Sequence, residues 1–185
     1  ELGLVVREVP FGESENSCKR ALYKIVDPFF AFWFRVVAPR RGFLAGATRK
    51  ARIGLWRSFK RELVARVWED LSRRAVVALS ADKGWEYDWH PAARWWRGDA
   101  PEWDVVSAST DGKCALVGEV KWSESPFSSL DVQQIAGSLL ARELPPGLPK
   151  KIERVVFVPS VKGAGNLANA GWRLVDAASV LECLR

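Results

Sequence analysis

The chain has 185 residues, a formal net charge of +6 and a hydrophobic content of 48%. That length suits one ordinary domain, or one domain with an appendage, and supplies enough apolar residues for a packed core. No apolar run is long enough to span a membrane, and no signal peptide opens the chain. We therefore expect a cytoplasmic protein without a membrane partner. Because the chain has no methionine and starts directly in an apolar run, we interpret it as a fragment of a longer protein.

The cysteine and histidine content argues against a zinc site and against a disulfide framework. The three cysteines are far apart, no CxxC pair occurs, and His90 is the only histidine. His90 precedes a proline and is interpreted as a loop residue. Asn and Gln are scarce while charged residues are plentiful, which weakly favours a thermophilic source.

Positive charge is concentrated in the first part of the chain. Between Arg35 and Arg61 there are nine basic residues and no acidic one. Such a stretch can neutralise phosphates and attract nucleic acid. The alternative is a solvated linker followed by a helix face with scattered arginines, and charge alone does not decide between the two.

The first elements are predicted to be a β-hairpin and an aromatic helix. Leu2–Val9 and Ala21–Ile25 have strand character, and turn formers separate them. Asp27 is a good N-cap and the following proline suits a first helical turn. The helix over Phe29–Val37 would have almost no polar face, so we expect it to be buried against another surface.

A linker and a long amphipathic helix follow. Pro39–Gly46 has the composition of a linker. Apolar residues then recur at spacings of three and four over Leu55–Leu79, which predicts a helix. Loop formers fill the segment from Ala81 to Pro91.

The rest of the chain alternates strands and helices. Five strands are predicted, at Arg94–Arg97, Glu102–Ala108, Cys114–Trp122, Ile152–Val158 and Trp172–Val175. Three further helices are predicted, at Leu130–Leu144, Asn166–Ala170 and Asp176–Leu184. The order helix, three strands, helix, strand, strand, helix predicts an α/β sandwich with a mixed central sheet.

Asp104, Glu119 and Lys121 are the residues that point to chemistry. Residues i and i+2 of a strand share a face, so Glu119 and Lys121 point the same way. If their strand pairs with the preceding one through the Asp111-Gly112 turn, Asp104 lies next to Glu119. Two carboxylates this close repel each other, and a hard cation such as Mg²⁺ or Mn²⁺ relieves the repulsion. The backbone carbonyl of Val120 is a further candidate metal ligand, and Lys121 is placed to assist catalysis.

The alternative is an Asp at the start of a hairpin and a Glu-Lys pair on an exposed sheet face. Three features favour the catalytic interpretation. The strand that holds Glu119 is too apolar to be an edge strand, a long amphipathic helix precedes the strands, and another helix follows at once.

With these features the block Glu102 to Trp122, which ends in GEVKW, resembles two motifs of the PD-(D/E)xK nuclease superfamily. The resemblance implies a restriction-endonuclease-like αβββαβ core. It also implies a metal held by Asp104 and Glu119. In that superfamily the first helix often supplies another acid, for which Glu62 is the better candidate here and Glu69 the other. The superfamily's Phe-Glu on this helix reads Phe59-Lys60 in this chain. A polar residue of the next helix, Gln133 or Gln134, can also face such a site.

The order of ALYKIVDPFFAFWF, then Trp95-Trp96, then GEVKW resembles the C-terminal region of archaeal-type P-loop ATPases. The resemblance implies that residues 1–50 hold a winged-helix remnant with its wing hairpin, an aromatic helix and a basic linker. Residues 51–185 would then form the nuclease-like domain. The chain has no GxxxxGK[ST] sequence and so no ATP site of its own. The missing N-terminal ATPase domain of the same protein would be its partner.

We therefore expect a Mg²⁺- or Mn²⁺-dependent DNA endonuclease-type domain. Asp104 and Glu119 would hold the metal, Lys121 would assist, Glu62 would add an acid, and the basic stretch would hold DNA. Two alternatives stay open. One is a catalytically idle nuclease-fold module that binds DNA or a partner and regulates the ATPase. The other is a homo-oligomerisation domain built on a tryptophan-rich surface, although core packing is the favoured role of the ten tryptophans.

Overall fold

A five-stranded mixed sheet flanked by helices forms the centre of the structure, a computed structural model that describes residues 3–14, 16, 20–79, 84–163 and 171–185. The strands of the chain are β1 (Val5–Glu8), β2 (Leu22–Ile25), β3 (Ala93–Trp95), β4 (Trp103–Ala108), β5 (Cys114–Val120), β6 (Lys151–Phe157) and β7 (Trp172–Val175). The α-helices are α1 (Pro28–Phe32), α2 (Arg41–Gly46), α3 (Arg49–Ala75), α4 (Ser129–Leu140) and α5 (Ala177–Cys183). The protein is therefore of the mixed α/β class, as the sequence predicts. The helix predicted over Asn166–Ala170 lies outside the described residues.

The central sheet has the strand order β3-β4-β5-β6-β7. Its first three strands form an antiparallel meander, whereas β5, β6 and β7 are parallel. The β4–β5 turn is closed by Asp111, whose carboxylate accepts hydrogen bonds from the Ser109 hydroxyl at 2.7 Å and the Lys113 N–H at 3.0 Å. Gly112 adopts a φ of 71°, which a residue with a Cβ rarely does. Strand β5 is central and completely buried, so the prediction that it is not an edge strand is confirmed.

Helices cover both faces of this sheet. One buried cluster joins α3 and α5 to side chains such as Leu116 and Phe157. A second joins α4 to Val117 and Val156 on the opposite face. Trp89, Trp95 and Trp103 belong to these two clusters, and Trp96 is also buried. The prediction that these tryptophans serve packing is confirmed.

The first β-strands form a separate two-stranded antiparallel hairpin, as predicted. The Asp27 carboxylate caps α1 by accepting hydrogen bonds from the N–H groups of Phe29 and Phe30. The chain continues as a π-helical turn over Trp33–Val37. Phe29 remains 62% exposed and Phe34 57% exposed, so the prediction that this aromatic helix is buried is wrong for the described chain.

Two predicted boundaries also change. The segment Pro39–Gly46 is helical rather than a linker, since the proline lies in the first turn of a 3-10 helix that leads into α2. Helix α3 begins at Arg49, where the Thr48 hydroxyl accepts a hydrogen bond from the Ala51 N–H, and not at Leu55. Among the described residues no helix has the length and apolar character needed to cross a membrane.

Candidate functional site

The start of β4 and the end of β5 bring the two predicted carboxylates together. Val105 of β4 pairs with Gly118 of β5. The next residues of the two strands are Asp104 and Glu119, and the Glu119 charge acts on the Asp104 carboxyl. The Val120 N–H donates a hydrogen bond of 2.9 Å to Asp104 Oδ2. A carboxylate from each strand therefore lies at the same end of the sheet.

Gly118 allows β5 to lie close to its other neighbour, β6. A Cβ at this position would lie 2.5 Å from Val155 Cγ1 and 2.7 Å from the Val155 carbonyl oxygen on β6. Real Cβ atoms are not found at such distances from backbone, so β5 and β6 would have to separate. Gly118 therefore determines how closely β5 lies to β6, and with it the position of the adjacent Glu119.

Asp104 has strongly perturbed acidity. The pKa of its carboxyl is raised from 3.8 to about 6, first by burial and then by the charge of the neighbouring Glu119. The hydrogen bond from Val120 lowers the pKa and offsets part of this rise, while the charge of Glu69 adds to it. Burial beside a like charge makes ionised Asp104 unfavourable, which is the condition that a bound cation relieves.

Glu119 is almost fully buried and is compensated by two cations. Its Oε1 is ion-paired with the ammonium of Lys121, and its Oε2 accepts a 2.8 Å bond from the Arg142 guanidinium. Arg142 also donates to the Glu102 carbonyl, and its guanidinium lies over the Trp103 ring at 5.0 Å. Arg142 is therefore held by several contacts against the carboxylate.

Backbone contacts fix Lys121 at the end of β5. Its N–H donates to the Phe157 carbonyl at 2.9 Å, and its carbonyl accepts from the Trp68 indole N–H at 3.1 Å. Its side chain is 46% exposed. The ammonium can therefore reach solvent or a ligand while the backbone stays in place.

The helix acid beside the site is Glu69 rather than the preferred candidate Glu62. Glu62 is ion-paired with Arg35 at 2.7 Å and Arg66 at 2.8 Å. Glu69 follows two turns later on the same helix face and interacts electrostatically with Asp104. The pKa of the Glu69 carboxyl is raised, and burial is the largest cause.

Two arginines of the site carry no evident signal in the sequence. Arg142 follows α4, 23 residues after Glu119, and only the folded sheet brings them together. Arg73 of α3 donates to the Asp104 carbonyl at 3.1 Å and to Asp70 at 2.6 Å. Of the glutamines predicted to face the site, Gln134 lines a cleft that Lys121 also lines.

The donors at this point fit a small hard cation. No group of three or more Asp, Glu, His or Cys side chains is arranged to hold a metal among the described residues. Asp104 and Glu119 form a two-carboxylate set, and Mg²⁺ commonly binds through one or two carboxylates with water and substrate phosphate as its other ligands. To bind a cation, Glu119 would exchange at least one of its present partners, Lys121 and Arg142.

Comparison with known proteins places this site in a family without an assigned function. A family described as archaeal and bacterial proteins of unknown function, DUF234, matches residues 33–135, more than half of the chain. An uncharacterized protein of Methanocaldococcus jannaschii is 28% identical over 154 residues, which cover 80% of this chain and 32% of the relative. The chain thus spans about a third of the length of that curated relative. No solved structure matches. Since the family match includes α3, β3 to β5 and the start of α4, the chain belongs to the DUF234 family.

Proposed function

We propose that this chain is a nuclease-type domain of the PD-(D/E)xK kind that hydrolyses DNA phosphodiester bonds with Mg²⁺ or Mn²⁺. The observation that carries the proposal is the electrostatic interaction of Asp104 with Glu119 where the paired strands β4 and β5 meet, with Lys121 bonded to Glu119. The raised pKa of Asp104 is the expected property of a buried carboxylate prepared for a cation.

The order of the elements supports the same proposal. Helix α3 precedes the antiparallel strands β3, β4 and β5, and α4 then connects β5 to the parallel strand β6. This is the αβββαβ order of a restriction-endonuclease-like core. Fold alone does not establish an activity, and the proposed activity rests on the carboxylates at the β4–β5 end.

Each residue of the site has a distinct role in this proposal. Asp104 and Glu119 would hold the cation, with the Val120 carbonyl as a further candidate ligand. The bound cation supplies polarisation of the scissile phosphate and a lowered pKa of a water ligand. Lys121, once released from Glu119, would donate to a phosphate oxygen and stabilise negative charge that develops during attack. Glu69 takes the place of Glu62 as the acid of the first helix.

A cleavage assay tests the proposal. Plasmid, linear and branched DNA are incubated with the protein and Mn²⁺ or Mg²⁺, beside Asp104→Asn and Lys121→Ala. The control variants are Asp99→Asn and Lys150→Ala, because both residues are exposed and lie outside the site. We expect cleavage that chelator, Asp104→Asn and Lys121→Ala abolish and that the controls retain. Metal binding without cleavage of any substrate would contradict the nuclease proposal.

One observation favours a second candidate function. Both Glu119 oxygens are already paired with Lys121 and Arg142, so the fold can maintain the site without a cation. The domain would then be a catalytically idle module that binds DNA or a partner and regulates an attached ATPase. The matching segment covers only 32% of the relative from Methanocaldococcus jannaschii, which is compatible with further domains in that protein. The cleavage assay separates the two, because an idle module can bind Mn²⁺ or DNA without hydrolysing it. Calorimetric titration with Mn²⁺ separates both from a purely structural oligomerisation domain, which would bind no metal.

A further inference from the structure

One face of α3 has two different surroundings along its length. In the C-terminal half this face packs on the sheet: Ser72 and Ala75 are fully buried. Trp68, on the same face, is also buried and donates its indole N–H to the Lys121 carbonyl. The face therefore passes directly beside the candidate catalytic lysine.

Toward the N-terminus the same face becomes exposed and basic. Arg61 precedes Trp68 by seven residues, two helical turns and about 10 Å. Arg57 and Lys50 continue the row, and the three lie within about 40° of each other around the axis at 100° per residue. All three are exposed, and a Cβ placed on Gly54 within the row would meet no atom within 4 Å. The row extends over about 16 Å and is open to a ligand.

The opposite face of this half of α3 is used for packing. The Trp56 ring contacts Phe32 edge-on at 5.7 Å, and the Arg40 guanidinium lies over the Phe59 ring at 4.6 Å. These contacts hold the opposite face of α3 against the protein and leave the basic row facing solvent. Within the part of the chain that the structure describes, no carboxylate lies within ion-pairing distance of any of the three basic residues of the row.

Two neighbouring charges outside the row are compensated by carboxylates. Lys60 is paired with Glu124 at 2.8 Å, which ties α3 to the loop after β5. Arg35 is paired with Glu62 at 2.7 Å. Of the cations in this helix half that have no carboxylate partner among the described residues, three form the row. Arg49 and Arg52 lie to its sides, and Arg52 donates to the Leu44 carbonyl at 3.1 Å.

A cleft joins the inner end of the row to the candidate site. It has a volume of about 500 Å³, and its lining includes Arg61, Lys121, Trp122 and Gln134. Asp131 is also part of the wall, and its carboxylate is held by the Ser128 hydroxyl and N–H. An anionic strand that follows the row would reach the cleft at Arg61 and meet the Lys121 ammonium there.

We propose that Lys50, Arg57 and Arg61 form a phosphate-binding track that leads a DNA backbone along α3 into the cleft beside Lys121. The inference rests on the proposed function for its choice of DNA, and it names the surface and the direction from which DNA arrives. A row of uncompensated cations complements the regular negative charge of a nucleic acid backbone. The track binds through backbone phosphates and is independent of base sequence.

The test measures DNA binding in chelator, so that it does not depend on cleavage. Fluorescence anisotropy of a labelled DNA duplex is recorded between about 50 and 200 mM salt. The triple variant Lys50→Gln, Arg57→Gln and Arg61→Gln is compared with Arg74→Gln, Lys113→Gln and Lys150→Gln. The control removes the same charge from exposed positions that lie off the track. Circular dichroism verifies that α3 persists in both.

We expect the slope of log K against log salt to become shallower by about 2.7, since each phosphate contact contributes about 0.9. The loss of affinity over a fourfold rise in salt would then be about 40-fold smaller than in the parent protein. The control triple should keep the parental slope, and so should Lys50→Arg, Arg57→Lys and Arg61→Lys, which retain the charges.

Equal losses in the track and control triples would overturn the track and leave only a net-charge effect. So would a parent protein that binds anionic lipid vesicles but not the duplex. Asp104→Asn separates this inference from the nuclease proposal, because it should abolish cleavage without weakening DNA binding in chelator. If the parent protein does not cleave DNA but the track triple shows the shallower slope, the phosphate-binding track is supported and the nuclease proposal is rejected.

Discussion

Replacing Asp104 by Asn should stabilise the protein at neutral pH. The pKa of Asp104 is about 6 in the folded protein, against 3.8 as its ordinary value. A difference of this size corresponds to about 3 kcal/mol, on the order of the penalty for ionising the carboxylate where it stands. Asn is uncharged and its side-chain oxygen can still accept the hydrogen bond from the Val120 N–H.

The sign of the pH dependence follows from the raised pKa. Below about pH 3.8 the carboxyl is protonated in both the folded and the unfolded chain, and ionisation has no effect on stability. Between pH 3.8 and about 6 the unfolded chain releases the proton while the folded chain keeps it, so stability falls as pH rises. Above about pH 6 the full penalty applies. The advantage of Asp104→Asn should therefore grow from near zero at acid pH to its maximum above about pH 7.

Urea unfolding at a series of pH values from about 4 to 8 measures this difference. Asp111→Asn is a control of opposite sign, because hydrogen bonds from Ser109 and Lys113 lower the pKa of Asp111 to about 2. Asp111 contributes stability above pH 3.8 that is lost as pH falls toward 2, so its replacement should destabilise throughout the measured range. Groups common to all the proteins cancel in the comparison.

The same unfolding experiment can be repeated with Mn²⁺ present. Mn²⁺ should stabilise the parent protein above about pH 6, because binding to the folded state shifts the unfolding equilibrium, and it should have little effect on Asp104→Asn. An advantage of the Asn variant that stays constant from pH 4 to 8 would refute the argument, since it would show that charge at Asp104 is not the cause.

Three further predictions concern packing, capping and metal affinity. Gly118→Ala should lower the free energy of unfolding by about 3 kcal/mol because the new Cβ clashes with Val155. Gly137→Ala adds a Cβ that meets no atom within 4 Å, so it should raise the free energy of unfolding by about 0.5–1 kcal/mol. Similar urea midpoints for the two variants would contradict both expectations. Ser128→Ala removes the capping box of α4 and should cost about 1 kcal/mol in the same assay. Arg142→Gln frees Glu119 Oε2 and should tighten Mn²⁺ binding about tenfold or more in calorimetric titration; an unchanged Kd would show that Arg142 does not compete with a cation.

The central sheet could be predicted because its signals are local. Cys114–Val120 is apolar except for Glu119 and contains two β-branched valines, as expected for a strand buried on both faces. The Asp111-Gly112 turn then fixes the register of β4 against β5, which brings Asp104 and Glu119 to the same end of the sheet. Two short-range patterns were enough to predict that these residues, 15 positions apart in the sequence, interact.

Other features could not be predicted from the sequence, because they depend on how the elements are placed in three dimensions. The first turns of α3 are basic and exposed, so apolar periodicity begins only after the helix has started. Glu62 and Glu69 share a helix face, and only the point at which α3 crosses the sheet decides which of them is near Asp104. The 3-10 and α-helical course of Pro39–Gly46 contradicted a composition that is typical of linkers.

The charge balance at Glu119 connects the proposed activity with its alternative. A buried carboxylate needs a partner, and here Arg142 and Lys121 provide two. Asp104 has no cation as a hydrogen-bond partner among the described contacts, and it bears the raised pKa. A divalent cation would therefore gain most at Asp104 and would compete with arginine at Glu119. Since Arg142 lies beyond the family match at residues 33–135, the carboxylates and the lysine belong to the matched segment while the competing arginine does not. Under the proposed function, a divalent cation would therefore have to displace Arg142 from Glu119, a contact made by a residue outside the matched segment.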